Sequence, residues 1–373
     1  MLFVNGKLYD DNFILRNYDM RVTEGKITNL GPRGSIAAES EEEVIDIQGK
    51  TLVPGMFDTH IHGALGKDVM DADPESLEVI SRYLASKGTT SFLPTTMTMG
   101  VEHLKPVFEL QGKLSGAHML GYHMEGPFIA MDKKGAQNGD YVRQATVEEM
   151  EIYGDNANIR IITMAPEIEN ALDFIRKMKD KVVISMGHSS AKYEEAKAAI
   201  EAGALSVTHC FNAMNQMQHR SPGIIGAAVQ AGIYGELIAD GLHIHPAVVY
   251  CNYKMFGPER MILVSDSLRA TGLGDGTYEF GGQPMYVKDN IARVGDGAIA
   301  GGMSNTWQNV KNCYEWGIPL ADAIRMGSLT PASLIGEDKN KGSLAVGKDA
   351  DFLLINDQLD LLEVYLNGEK FEE

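Results

Sequence analysis

Thr51-Leu52-Val53-Pro54-Gly55-Met56-Phe57-Asp58-Thr59-His60-Ile61-His62-Gly63 is an apolar run that ends in two histidines one residue apart. Side chains two apart on an extended strand share a face, so a strand here presents both imidazoles to one point in space. Paired imidazoles on one strand face are a metal-ligand arrangement, and they point to a hydrolase. His-x-His also arises by chance on ordinary strands. The company it keeps downstream decides between the two readings.

That company lies at the ends of further strand candidates. Apolar bursts over 90–95, 119–123, 159–164, 182–186, 206–209, 236–239 and 261–265 alternate with stretches such as 74–87, 191–202 and 320–329, whose apolar residues recur at helical spacing. Strands alternating with helices imply a parallel α/β sheet. About eight such units over roughly 250 residues is what a (β/α)8 TIM-like barrel requires. A doubly wound sheet is the competing architecture. The barrel is preferred because the polar residues fall at the ends of several different strands, where a barrel's C-terminal mouth gathers them.

The two chain ends read differently from the middle. Segments 3–8, 20–23, 26–30 and 44–47 alternate apolar and polar residues between Gly and Asn, as in antiparallel strands joined by tight turns. Segments 342–355 and 362–366 repeat that style and read as the missing strands of the same sheet. The predicted organisation is a small discontinuous β-sandwich domain over 1–50 and 343–373, built around a barrel over 51–342. A polar, glycine-rich stretch over 129–143 reads as an active-site lid.

Composition bounds the function classes. A chain of 373 residues holds a barrel and a small module, and 44% hydrophobic with 23% charged residues is ordinary for a soluble enzyme. A formal net charge of -18 argues against non-specific binding to nucleic acid or to an anionic membrane, but an anionic small substrate needs only local positive charge. No run approaches a membrane span, and the first residues carry no basic segment followed by a long apolar one. Cys210, Cys251 and Cys313 are odd in number and widely separated, so free, mostly buried thiols in a reducing cytoplasm are expected.

Four further polar sites follow strand candidates: Glu125 in Gly121-Tyr122-His123-Met124-Glu125-Gly126-Pro127, His188 in Ser185-Met186-Gly187-His188-Ser189, His209 in Val207-Thr208-His209-Cys210-Phe211, and Asp266 in Leu263-Val264-Ser265-Asp266-Ser267. Singly, each reads as well as a buried His satisfied by a backbone carbonyl or an Asp capping a helix. Five such sites in succession at strand ends are hard to explain by capping alone. Imidazole and carboxylate donors suit zinc, iron or a similar divalent transition metal, whereas magnesium or calcium would take mostly oxygen.

The order and wording of these motifs closely resemble the amidohydrolase superfamily, and within it the N-acetylglucosamine-6-phosphate deacetylase family. The resemblance runs from Pro54-Gly55 and Asp58-x-His60-x-His62-Gly63, through His123-Met124-Glu125-Gly126-Pro127-Phe128 and Gly187-His188-Ser189, to His209-Cys210-Phe211-Asn212-Ala213-Met214. It continues through His219-Arg220-Ser221-Pro222-Gly223, Ala239-Asp240-Gly241-Leu242-His243, Ser265-Asp266 and Gly347-Lys348-Asp349-Ala350-Asp351. His-x-Glu-Gly-Pro is the most specific element, because most other binuclear amidohydrolases carry a carbamylated lysine at that strand.

The resemblance implies that Glu125, His188 and His209 hold the principal ion, and that His60 and His62 add a second one bridged through Glu125. Some members replace the first pair by Gln and Asn and run on one metal; this chain keeps both histidines. Asp266 is implied as general base and acid. The chemistry stands without the family, since a metal lowers the pKa of its water and polarises an amide carbonyl while a nearby carboxylate moves the proton.

For the substrate, Arg220 beside His219 offers a planar donor fork suited to a phosphate, and the backbone N–H groups of Asn212 and Ala213 add neutral donors. Family positions matching these contact the sugar phosphate, as do those matching Ala136, His243, Ala300 and Gly301. His123 either polarises the acyl oxygen or buttresses the barrel, and the buttress is preferred. His243 reads as a sugar contact ahead of a solvent-facing loop residue; in some relatives the corresponding His serves the neighbouring subunit's site, which implies a homodimer. Arg269 departs from the commoner family wording, and a solvated or salt-bridged role is preferred to a reach towards the phosphate. Cys210 alternates away from the site and reads as packed, and Met303 could touch substrate.

The expected reaction removes acetate from N-acetylglucosamine-6-phosphate to give glucosamine-6-phosphate. The N-acetylgalactosamine-6-phosphate epimer is the nearest alternative, since one hydroxyl's orientation is not legible in these motifs. A cyclic-amide or dipeptide amidohydrolase is disfavoured by Glu125 in place of lysine and by His219-Arg220. A non-catalytic scaffold is disfavoured because no proposed ligand is missing.

Overall fold

A computed structural model describes residues 1–295 and 297–372. Its centre is a curled sheet of TIM-barrel type, whose strands are numbered here β1 (Met56–Ile61), β2 (Thr89–Thr96), β3 (Tyr122–Glu125), β4 (Ile159–Met164), β5 (Val183–Met186), β6 (Ser206–Val207), β7 (Gly235–Leu237) and β8 (Met261–Leu263). Neighbours from β1 to β6, and β7 with β8, pair in parallel. Backbone bonds carry the curl from β6 to β7, where Val207 N donates to Tyr234 O at 3.0 Å, and from the end of β8 back to β1, where Asp266 N donates to His60 O at 2.9 Å.

Helices link these strands, and two of them show how the local sequence sets their starts. Pro74–Ser86 begins with Asp73, whose carboxylate accepts from Glu75 N, and with Pro74, whose fixed φ suits the first helical position. Its Leu77, Ile80 and Leu84 recur at helical spacing and are buried. Thr146 caps Val147–Tyr153 in the same way.

Thr51–Pro54 departs from the sequence reading. It pairs antiparallel with Phe352–Ile355 and parallel with Lys7–Tyr9, so it belongs to the sheet of the chain ends and not to the curled sheet. The switch occurs at Gly55, where a Cβ would overlap the Thr90 side chain; the apolar run is thus two strands hinged at a glycine.

The chain ends form a four-stranded and a six-stranded sheet. Phe3, Met20, Val22 and Ile27 from the first share a buried cluster with Leu8, Leu52, Phe352, Leu354 and Tyr365 from the second. Leu2–Val4 pairs in parallel with Val44–Asp46, because the hairpin over 18–32 intervenes before the chain returns. A three-stranded antiparallel sheet (Gly276–Phe280, Gln283–Lys288, Ile291–Val294), not anticipated from the sequence, is inserted after β8. Among the described residues no helix is long and apolar enough to cross a membrane. Cys210 and Cys313 are buried and Cys251 is exposed.

The Gly-Lys-Asp-Ala-Asp tail locks onto the curled sheet through buried charge. Lys341 Nζ lies 2.5 Å from Asp351 Oδ2 and 3.0 Å from both Asp349 Oδ2 and His118 Nδ1. Burial alone would raise the Asp351 pKa, but its bond to His118 and the field of Lys341 outweigh that and bring it down to about 2. A folded pKa below the ordinary 3.8 means stability present above about pH 4 and lost as pH falls towards 2. We expect this carboxylate to account for about 2 kcal/mol of that loss. Urea unfolding of Asp351→Asn between pH 5 and pH 2.5 should show a correspondingly shallower decline; a wild-type slope would refute the assignment.

Candidate metal and active site

The strand ends deliver the site. His60 lies in β1 and His62 directly follows it, so the two turn to one side as extended-chain parity requires; Glu125 closes β3, and His188, His209 and Asp266 follow β5, β6 and β8. His188, His209 and Asp266 adopt left-handed backbone angles, φ +46°, +28° and +50°. Such conformations cost on the order of 1–3 kcal/mol each and persist where surrounding structure imposes them. Here Ser189 N donates to Ala213 O at 3.0 Å, and Gly302 N donates to Asp266 O at 2.7 Å.

Glu125 is the centre of the cluster. Its Oε1 lies 3.1 Å from both His188 Nε2 and His209 Nε2, which are themselves 3.1 Å apart. Its Oε2 lies 3.3 Å from His62 Nε2, and its Oε1 lies 3.4 Å from His60 Nε2. Asp266 Oδ1 faces the same histidine pair, 3.3 Å from His62 Nε2 and 3.6 Å from His60 Nε2.

The donor set fits divalent metal. Lys133 O and Thr95 O accept from Nδ1 of His188 (2.9 Å) and His62 (3.1 Å), which leaves both Nε2 atoms facing Glu125. Among the described residues, buried His60 Nε2 and His209 Nδ1 have no hydrogen-bond partner. Two groups of three donors, Glu125/His188/His209 and His60/His62/Glu125, each lie within 4.8 Å of one another. Donors about 2.0–2.1 Å from a tetrahedral zinc sit roughly 3.3 Å apart, close to the separations here.

The carboxylates and imidazoles of the cluster shift one another strongly. Burial opposes charging His62, yet the bonds and field of Asp266 and Glu125 prevail and lift it to about 9. The same carboxylates raise His60 against its burial. Burial would raise Asp266 and Glu125, but the facing histidines hold both below the ordinary carboxylate range. Asp266 is therefore an ionised base pointing into the cluster.

A cavity of about 280 Å³ opens over these atoms, lined by His62, Glu125, His188, His209 and Asp266 together with Ala136, Asn212, Ala213, His243, Phe280 and Ala300. An amidohydrolase family model matches residues 51–370. The chain is 35% identical to N-acetylglucosamine-6-phosphate deacetylase of Vibrio furnissii, over 93% of this chain and 92% of the relative. It is 33% identical to N-acetylgalactosamine-6-phosphate deacetylase of Escherichia coli O157:H7, over 95% of each. The crystal structure of N-acetylglucosamine-6-phosphate deacetylase from Pasteurella multocida superposes with a TM-score of 0.93 at 32% identity, covering 100% of this chain and 99% of that one. The chain belongs to the amidohydrolase family, among the N-acetylglucosamine-6-phosphate deacetylases.

Several positions that the N-acetylglucosamine-6-phosphate deacetylase resemblance assigns to substrate lie at this cavity: Ala136, Asn212, Ala213, His243 and Ala300. His243 Nδ1 donates to Asp240 Oδ2 at 2.7 Å, which holds the ring. Others lie elsewhere. Gly301 is packed under Asp266, where a Cβ would come 2.6 Å from the Asp266 carbonyl oxygen. His219 and Arg220 are both exposed, because Gln218 and Ser221 exchange backbone bonds in a turn that carries both side chains outward, and Arg220 lines a separate cavity of about 820 Å³. Arg269 Nη2 pairs with Asp71 at 2.7 Å and Glu279 at 3.2 Å, which ties it down away from the cavity. Met303 packs against the inserted sheet.

Some residues escaped the sequence reading. Gln137, in the 129–143 loop, donates from Nε2 to Glu125 Oε2 at 2.5 Å and accepts from Thr98 N at 2.7 Å, so the loop is latched to the central ligand. Phe280 sets its ring edge-on to His62, with centroids 5.6 Å apart. Asp58 accepts from Thr306 Oγ1 at 3.0 Å and from Ser265 N at 3.2 Å, clamping β1 to the segment that carries Asp266. Burial drives the Asp58 pKa up to about 6 against those bonds.

His123 lies beneath. Its Nδ1 donates to Thr59 O at 2.8 Å, and its Nε2 accepts from Thr163 Oγ1 at 2.7 Å. Burial and the neighbouring His60 depress its pKa to about 4, so the ring is neutral and both nitrogens are engaged.

Proposed function

We propose that the protein is a metal-dependent hydrolase that removes acetate from N-acetylglucosamine-6-phosphate, leaving glucosamine-6-phosphate. The observation that carries this reading is the convergence of Glu125, His188 and His209 with an ionised Asp266 facing the same point under a small cavity. His60 and His62 are read as holding a second ion that shares Glu125. Zinc or iron is the preferred metal on the donor set.

A bound ion would polarise the amide carbonyl and bring a water closer to its hydroxide form. Asp266 accepts a proton from the attacking water, then returns it to the departing amine nitrogen as the C–N bond breaks. Water thereby divides between acetate and amine. Ala136, Gln137 and Phe280 wall the site, His243 meets the sugar, and the Ala213 N–H meets the phosphate; the Asn212 N–H, expected from the sequence to join it, instead donates to His209 O at 3.0 Å. Arg220 Nη1 donates to His219 Nε2 at 2.8 Å, which leaves the rest of its fork to meet an anion. We place it on the phosphate in a homodimer, where the exposed turn meets a neighbouring subunit.

The remaining architecture is read in the same spirit: a complete (β/α)8 barrel, a β-sandwich domain from 1–54 and 343–373, and a cytoplasmic location. The epimeric substrate is kept as a second reading because the galactosamine-type relative matches almost as well. Acetate release from both phosphorylated epimers, from unphosphorylated N-acetylglucosamine and from a dipeptide tests this reading. Faster turnover of N-acetylglucosamine-6-phosphate is expected. Preference for the other epimer would reassign the sugar, and preference for the dipeptide would sink the proposal.

A further inference from the structure

β7 contributes no residue to the donor cluster, yet it carries a carboxylate directly beneath it. Glu236 is fully buried among barrel side chains. Its Oε2 accepts from His60 Nδ1 at 3.1 Å and lies 3.4 Å from His209 N, while its Oε1 accepts from Thr59 Oγ1 at 3.3 Å. Isolated burial of a carboxylate costs several kcal/mol, so a position that retains one must spend it on specific bonds.

Glu236 is not a ligand of a separate ion. His60, His123 and Glu236 lie close enough to form a third donor group, but both His123 nitrogens are engaged by Thr59 and Thr163. What Glu236 controls is His60. The rings of His62 and His188 are set by backbone carbonyls, which are fixed by the fold; His60 Nδ1 has a side-chain acceptor instead. With Nδ1 turned to Glu236, Nε2 is the ring atom that faces up between Glu125 and Asp266, 3.4 and 3.6 Å away.

We propose that Glu236 is a positioning residue, which locks His60 in the tautomer and orientation that serve the second ion. The inference rests on the two-ion reading above. It predicts selective damage: the His60/His62 position weakens while the Glu125/His188/His209 position does not.

Two substitutions separate reach from charge. Glu236→Gln keeps an acceptor oxygen at the same reach and removes the charge; Glu236→Asp keeps the charge and withdraws the acceptor by one methylene. Metal-depleted full-length protein would be titrated with zinc against a chromophoric chelator, with thermal unfolding of each apoprotein as a check on folding. The wild type is expected to take two equivalents. Glu236→Asp should bind the second about 10- to 100-fold more weakly, the range typical of lost outer partners, with the first unchanged. Glu236→Gln should fall short of that loss. Equal binding by all three, or a second equivalent lost in Glu236→Gln and kept in Glu236→Asp, would overturn the proposal. A wild type that takes one equivalent would instead refute the two-ion reading itself.

Discussion

Asp266→Asn is expected to bind metal and to turn over about 10²- to 10⁴-fold more slowly, the usual contribution of a positioned proton carrier. The argument is geometric. Asp266 Oδ1 faces the two histidines of β1 at 3.3 and 3.6 Å, and its backbone is fixed in a left-handed conformation by bonds to His60 O and Gly302 N. Asparagine is nearly isosteric, keeps those backbone bonds, and cannot accept a proton at neutral pH. Metal analysis alongside steady-state kinetics makes the result specific. Loss of kcat with metal retained supports the shuttle, whereas turnover near wild type with metal bound would remove Asp266 from the reaction.

Glu125→Gln is expected to have the larger effect, because one carboxylate serves both donor groups. Its two oxygens reach His188, His209 and His60 on one side and His62 on the other. An amide presents one neutral oxygen and an N–H pair, so at least one group loses its anionic donor. The affinity for zinc should drop by more than the roughly 10- to 100-fold that follows loss of an outer partner. Acetate release should fall with the metal content. Unchanged metal content with turnover within about tenfold of wild type would show that Glu125 is not the shared ligand, since a directly coordinating group cannot matter less than an outer partner.

Which residues the sequence disclosed follows from how local their signals are. Strand parity makes His60 and His62 a pair without any tertiary knowledge, and Glu125, His188, His209 and Asp266 each end an apolar strand. Gathering them needed only the rule that barrel strands deliver their C-terminal ends to one mouth. Glu236 was harder, because nothing in Gly235-Glu236-Leu237 says which face the carboxylate takes or what lies above it. A charged residue inside an otherwise apolar strand was the one available sign. Gln137 and Phe280 were illegible for another reason: they reach the site from a loop and an inserted sheet whose placement depends on tertiary packing. Thr51–Pro54 reads as one run with Met56–Ile61, because apolar pattern reports burial and not the identity of the partner strand. Arg220 carries the right chemistry, but its turn directs it outward in the single chain.

The central claim is that this cluster, loaded with metal, hydrolyses the acetamide of a phosphorylated amino sugar. Its most direct test is acetate release from N-acetylglucosamine-6-phosphate by protein stripped of metal with a chelator, before and after zinc or iron is returned. Negligible release from the stripped protein, and recovery in proportion to the ions restored, is the predicted result. Equal release from stripped and reloaded protein would contradict it.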